Sequence, residues 1–326
     1  MVNIYDIEQA ALRIKKASVR TPLIKNFHLD EVTEGKILIK SECLQTTGSF
    51  KIRGAYNFLS QLNDIEAAKG VVAWSSGNHA QGVAAAGALL NIKTVIVMPN
   101  DAPKIKIDNT RYLGGEIISY DRYSGDREVI ATEIAGELGA TLVPSYDHEK
   151  IIAGQGTVGL ELAQDALYIQ EPPDQVLIPC GGGGLSSGSA LALKSLLPNA
   201  DIFAVEPSSF DDTARSFRLG ERQCINNNAR SICDALQTPI PGKITFNINK
   251  KRLSGVLTVT DEEVEEAIRF SFKFLKTVIE PGGAVALAAI LSGKIDTKNK
   301  TTAVVLSGGN IDIELFNEIQ LGLNCY

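Results

Sequence analysis

The sequence predicts an α/β protein built on two open, mostly parallel β-sheets flanked by helices. Three observations carry this expectation. Short β-rich runs alternate with helix-like runs along the chain. Several of the β-rich runs are apolar on both faces, as buried parallel strands require. About nine strands are also many for one twisted sheet, so two sheets fit better.

The strand candidates include seven clear runs: 36–40 (KILIK), 71–74 (VVAW), 93–98 (KTVIVM), 116–119 (EIIS), 175–179 (QVLIP), 201–205 (DIFAV) and 303–306 (AVVL). An alanine-rich helix is expected from Ala80 to Leu90, and another from Ser186 to Leu197. A third covers 261–277, opened by Thr260 with Glu263 completing a capping box. A final helix is expected over 311–322. The polar stretch 222–230, with its run Asn226–Asn228, reads as a surface loop.

The 326 residues are 44% hydrophobic and 21% charged, which allows a sizeable core and argues against disorder. Lys plus Arg is 32 and Asp plus Glu is 38, a net charge of −6, and no basic block stands out. Neither nucleic acid nor an anionic membrane is expected as a partner. The cysteines are Cys43, Cys180, Cys224, Cys233 and Cys325, an odd count with no CxxC pair. A disulfide framework or a structural zinc site is not expected, and a reducing compartment fits better. The first ten residues carry acids and no apolar core, so no secretory signal is read there. The uncharged stretch Gln175 to Leu193 holds five glycines and three serines and does not read as a membrane span. A cytoplasmic protein is the expectation.

Three strands run directly into small polar residues: Ser75-Ser76-Gly77-Asn78-His79, Gly181-Gly182-Gly183-Gly184-Leu185 and Ser307-Gly308-Gly309-Asn310. In open α/β sheets ligands bind beyond the carboxyl ends of strands, so three such loops suggest one composite site. Four glycines let backbone N–H groups converge, and the helix that follows adds its positive end, which makes a phosphate cradle. No Lys-Ser or Lys-Thr follows these glycines, so the P-loop pattern fails. The dinucleotide pattern fails too, because Ser186 or Ser187 stands where its last glycine belongs. Glu206, ending the next strand, keeps a nucleotide-binding reading open. Lys51, in Gln-Thr-Thr-Gly-Ser-Phe-Lys-Ile-Arg-Gly-Ala, stands at an expected helix start, where the dipole disfavours a cation. A desolvated lysine becomes an amine nucleophile, and an amine beside a phosphate cradle describes a pyridoxal phosphate site.

At this point the chain resembles the serine/threonine dehydratase and serine racemase group of fold type II pyridoxal phosphate enzymes. The matching pieces are SFKIRGA (49–55), SSGNHAQG (75–82), AGQGT (153–157), the tetraglycine (181–184), EPSSFDD (206–212), EPGGAVALAA (280–289) and SGGN (307–310). They cover nearly the whole chain in the family's order. The resemblance implies a small mobile domain, residues 66–140, inserted in a large cofactor-binding domain of residues 1–65 and 141–326.

It also implies roles. Lys51 would carry the cofactor and remove the substrate Cα proton. Phe50 would lie against the ring, Asn78 would donate to its phenolic oxygen, and Gly181 to Leu185 would hold the phosphate. Ser307 would meet the pyridine nitrogen, and a hydroxyl there makes the ring a weaker electron sink than a carboxylic acid would. Ser75, Ser76, Asn78 and His79 would bind the substrate carboxylate, with Ser76 also matching the second base of the racemases. For His79 the resemblance favours that loop role over general base. Arg127 matches a position that can reach a substrate carboxylate, and a solvated helix charge is the equal alternative. Glu206, Asp212 and the carbonyl of Phe210 match the family's divalent-cation site, for Mg²⁺, Ca²⁺ or Mn²⁺.

The implied activity is β-elimination from L-threonine or L-serine, giving a 2-oxo acid and ammonia. Serine racemisation with dehydratase side activity and 3-hydroxyaspartate dehydration are the alternatives. A nucleotide-binding regulatory protein is the rival from another class. A homodimer or homotetramer is expected. Two departures stand out. Ala235 replaces a glycine common among relatives, and Tyr146 stands where animal racemases carry asparagine. No regulatory domain is expected after the final helix.

Overall fold

The computed structural model describes residues 1–121, 125–225 and 229–323, so Asn226–Asn228 and Cys325 lie outside the described residues. Ten strands form two sheets: β1 (Leu23–Ile24), β2 (Lys36–Ser41), β3 (Val71–Trp74), β4 (Thr94–Pro99), β5 (Glu116–Tyr120), β6 (Thr141–Leu142), β7 (Gln175–Pro179), β8 (Asp201–Pro207), β9 (Gly255–Val259) and β10 (Thr301–Leu306). The larger sheet has the order β1-β2-β10-β7-β8-β9 and the smaller β5-β4-β3-β6. Every pairing is parallel except β1 with β2. All seven predicted runs are strands, within one or two residues.

Alternation of side chains explains why these runs are apolar throughout. On β10, Val304 joins the core under the buried helix Pro281–Leu291, while Val305 joins the core against the helices Glu149–Tyr168 and Gly184–Leu196. On β4, Ile96 and Met98 face one core and Val95 and Val97 the other. Each sheet is therefore covered on both faces.

Several boundaries differ from expectation for local reasons. The predicted helix over 261–277 opens with the expected Thr260–Glu263 capping box but is regular only through Phe270. One wider π-type turn, Ser271–Leu275, follows, and Lys276 ends it in a left-handed conformation at φ 58°. The helix expected from Ser186 starts at Gly184. Gly183 adopts φ +90°, which lets the chain turn straight from loop into helix. The helix expected from Ala80 starts at Asn78, which puts Asn78 and His79 in its first turn. The last helix is Ile313–Leu321. Among the described residues no helix is long and apolar enough to cross a membrane. Cys43, Cys180, Cys224 and Cys233 are free.

Candidate active site

The three strand-end loops meet in one cavity of about 510 Å³. β3 delivers the loop 75–77 and the helix Asn78–Leu90. β7 delivers the tetraglycine, and β10 delivers Ser307. Phe50, Lys51, Ser75, Ser76, Asn78, His79, Gly181 to Leu185 and Ser307 all line this cavity, as does Arg127.

Lys51 is the first residue of the helix Lys51–Leu59. Its Nζ donates to the Ser145 carbonyl at 2.9 Å and lies 5.3 Å from the centre of the Phe50 ring. Burial lowers its pKa to about 8, with Glu280 pulling the other way. The positive helix end acts in the same direction as burial. Lys51 is thus an amine that is partly unprotonated near neutral pH.

The glycine loop is shaped to hold an anion. The first amides of a helix have no partner inside it, and here they belong to Gly184, Leu185 and their successors. The carbonyl of Gly182 accepts from Thr245 Oγ1 at 2.7 Å and from the Gly242 amide at 3.3 Å. A Cβ on Gly183 would stand 2.9 Å from Thr245 Oγ1, so the same contact excludes a side chain. The residues fit a phosphate.

His79 is buried, with Nε2 3.2 Å from the Val143 carbonyl. An acceptor at that distance makes Nε2 the protonated nitrogen of a neutral ring. Burial first, then Lys51, lowers its pKa to about 3. The imidazole therefore brings no charge to the site. Its backbone N–H belongs to the first turn of the helix Asn78–Leu90, where amides have no partner inside the helix.

Glu206, Phe210 and Asp212 lie outside this cavity's lining and form a separate cluster at the end of β8. Glu206 is buried and accepts from the amides of Thr213 at 3.3 Å and Ala214 at 2.8 Å. Asp212 is buried with neither carboxylate oxygen hydrogen-bonded. Burial raises the Asp212 pKa to about 8, and burial and then Asp212 raise that of Glu206. Two buried acids, one without partners, fit a divalent cation. Among the described residues no group of three His, Cys, Asp or Glu side chains is placed for a metal, so backbone carbonyls would have to complete the set.

Sequence reasoning gave several residues of the site no role, although it singled out Tyr146 and Ala235 as departures. The Tyr146 ring lies directly against Gly182, and Arg222 and Lys243 line the cavity. Gln155, from the AGQGT motif, lines it fully buried with neither amide atom partnered. Lys106, Glu280 and Asn310 stand behind Asn78. Ala235 lines the cavity, and a Cβ on Gly282 would be 3.1 Å from its methyl group. The extra methyl at 235 is thus matched by a glycine opposite.

The family model of pyridoxal-phosphate dependent enzymes matches residues 14–308. The chain belongs to that family. Its cofactor is pyridoxal phosphate, and the glycine cradle and Lys51 meet in the cavity that would receive it. The chain is similar to the serine racemase of Schizosaccharomyces pombe, 41% identical over 95% of each chain. It is 42% identical to the L-threo-3-hydroxyaspartate ammonia-lyase of Pseudomonas sp., over 98% of each. The solved T.th. threonine deaminase superposes with a TM-score of 0.89 at 40% identity, covering 95% of this chain and 99% of that one.

Proposed function

We propose that this enzyme is an ammonia-lyase that eliminates the β-hydroxyl of L-threonine and L-serine, yielding a 2-oxo acid and ammonia. The observation that carries this reading is the desolvated amine of Lys51, in one cavity with the glycine cradle, the 75–79 loop and Ser307.

Bound pyridoxal phosphate supplies the electron sink that makes a Cα–H bond breakable. Gly181 to Leu185 would hold its phosphate, Phe50 its ring face, Asn78 its phenolic oxygen and Ser307 its ring nitrogen. Ser307 would donate a hydrogen bond there but cannot transfer a proton as a carboxylic acid would. Ser75, Ser76 and the first-turn amides of Asn78 and His79 bind the substrate carboxylate. Lys51, held beside the Ser145 carbonyl, takes the Cα proton at a pH where part of it is unprotonated. Segment 66–140 is the part that closes over the substrate and excludes water. Glu206, Asp212 and the Phe210 carbonyl would hold Mg²⁺, Ca²⁺ or Mn²⁺.

A second reading is favoured by the cations of the cavity. Arg127, Arg222 and Lys243 line it in addition to Lys51, and they suit the extra carboxylate of 3-hydroxyaspartate. Racemisation would use Ser76 as a second base.

The test is product analysis with L-threonine, L-serine and 3-hydroxyaspartate separately. Oxo acid from threonine and serine with little D-serine supports the first reading. A clear preference for 3-hydroxyaspartate moves the second to first place. D-serine formed as fast as pyruvate makes Ser76 a working base.

The exposed rings also suggest the assembly. Phe27, Val32, Phe272 and Ile313 are 49–74% exposed. These segments adjoin, through His28 tilted against Phe274 and Phe272 edge-on to Phe316. We propose that this face pairs with a second copy of the chain.

A further inference from the structure

An asparagine amide presents a donor on one side and an acceptor on the other, and its shape alone does not say which is which. Around Asn78 the neighbours settle the matter. The Thr47 carbonyl is a backbone acceptor and nothing else. Asn310 faces it with Nδ2 at 2.9 Å, so the orientation of Asn310 follows. The second hydrogen on that nitrogen goes to Asn78 Oδ1 at 2.8 Å. Asn78 therefore turns its oxygen toward Asn310 and its nitrogen away. That nitrogen donates one hydrogen to Glu280 Oε1 and keeps the other for the cavity. Glu280 Oε2 lies 2.9 Å from Lys106 Nζ, which also pairs with Asp234 at 2.6 Å. Thr47, Asn78, Lys106, Glu280 and Asn310 are all buried, so water does not compete for these bonds.

We propose that Asn310, anchored on the Thr47 carbonyl, is a positioning residue that orients the Asn78 amide so that an N–H, not the oxygen, faces the cofactor. The inference rests on reading the cavity as a pyridoxal phosphate site with Asn78 at the ring oxygen. An anionic ring oxygen is held by a donor and repelled by an acceptor.

The test uses full-length Asn310→Asp and Asn310→Ala proteins and two readouts besides turnover: the dissociation constant of pyridoxal phosphate and the pH titration of its absorbance when bound. In Asn310→Asp the new side chain keeps the shape of the old one but only accepts. It loses the Thr47 carbonyl and draws the Asn78 nitrogen toward itself, which turns the Asn78 oxygen to the cavity. Asn310→Asp should weaken cofactor binding at least about tenfold and shift the titration, while Asn310→Ala, which leaves Glu280 alone accepting from the Asn78 nitrogen, weakens it by a smaller factor of about threefold. A purely structural role predicts the reverse order, because alanine removes the packing that aspartate keeps.

Added charge is controlled by the double variant Glu280→Gln with Asn310→Asp. It restores the charge of the cluster but reverses the two bonds at Asn78, and the bond to the Thr47 carbonyl is lost. The binding defect should persist there, and its disappearance would make charge the cause and overturn the proposal. So would alanine being as harmful as aspartate, or both matching the parent protein. Should the aspartate variant not fold, Glu280→Gln alone decides. Asn310 still orients Asn78, so affinity should stay within about threefold, and a tenfold loss would give the orienting role to Glu280. A parent protein that takes up no pyridoxal phosphate would overturn the site reading itself, and with it this inference.

Discussion

Asp212 and Lys51 are both desolvated, and burial moves them in opposite directions because it disfavours whichever form is charged. For Lys51 the neutral amine is the useful form. For Asp212 the neutral acid is an idle one, and a cation would restore the charge. The consequence for stability has a definite sign. The Asp212 pKa is raised to about 8, against about 4 in an unfolded chain. The folded protein then binds the proton more tightly, so this contribution is full below about pH 4 and is lost as pH rises through about 8. Without divalent cations, the melting temperature should fall between about pH 5 and pH 8, and Mg²⁺, Ca²⁺ or Mn²⁺ should raise it at pH 8 by more than about 4 °C. Melting curves in EDTA and in each cation check this. An unchanged midpoint at pH 8 would count against a metal at Glu206 and Asp212.

The helix that carries Lys51 is placed by a buried ion network. Arg53 is fully buried and donates to Glu42 through Nε and Nη2, both at 2.7 Å, and to Glu161 at 2.8 and 2.9 Å. Lys40 joins Glu161 at 2.7 Å. Burial works against an ionised Glu42, yet Arg53 and Lys40 outweigh it and hold the carboxyl below its usual range. On the other side, a Cβ on Gly154 would be 2.6 Å from the Arg53 carbonyl, so the helix Glu149–Tyr168 can approach only with glycine there. Arg53→Met should cost about 3–5 kcal/mol in urea unfolding, because Glu42 is left buried without its ion-pair partner and Glu161 keeps only Lys40. A loss under about 1 kcal/mol would show the network to be marginal.

At this scale the sequence was partly legible. The seven long apolar runs announced their strands because burial on both faces demands that composition. β1 and β6 have two residues each, too few to show any period. β9 is half-buried at an edge, and its residues Gly255–Val259 lack the apolar run of the central strands. The cavity loops were legible because glycine and serine stood at strand ends. The supports behind them were not. Lys106, Asp234, Glu280 and Asn310 come from four distant segments, and only the fold brings them to Asn78.

At the scale of the molecule, the cavity draws on both sheets, with β3 on the smaller and β7 and β10 on the larger. The helix Lys104–Tyr112, beside the smaller sheet, is tied to the larger one's segments at both Lys106 and its first amides, which Asp312 accepts at 3.1 and 2.9 Å. The apolar face around Phe27 and Phe272 lies on the larger sheet's helices. Sedimentation should find a dimer or larger assembly, and Phe27→Ser with Ile313→Asp should shift it toward monomer. A monomer in the parent protein would remove the proposed pairing.

The central claim is that Lys51 carries the cofactor and does the chemistry. The most direct test is to load the protein with pyridoxal phosphate, reduce it with borohydride, and map the labelled peptide by mass spectrometry. One label on Lys51, absent in Lys51→Ala along with all 2-oxo acid formation, is the predicted result. A label on another lysine, or oxo acid still formed at the parent rate by Lys51→Ala, would contradict it.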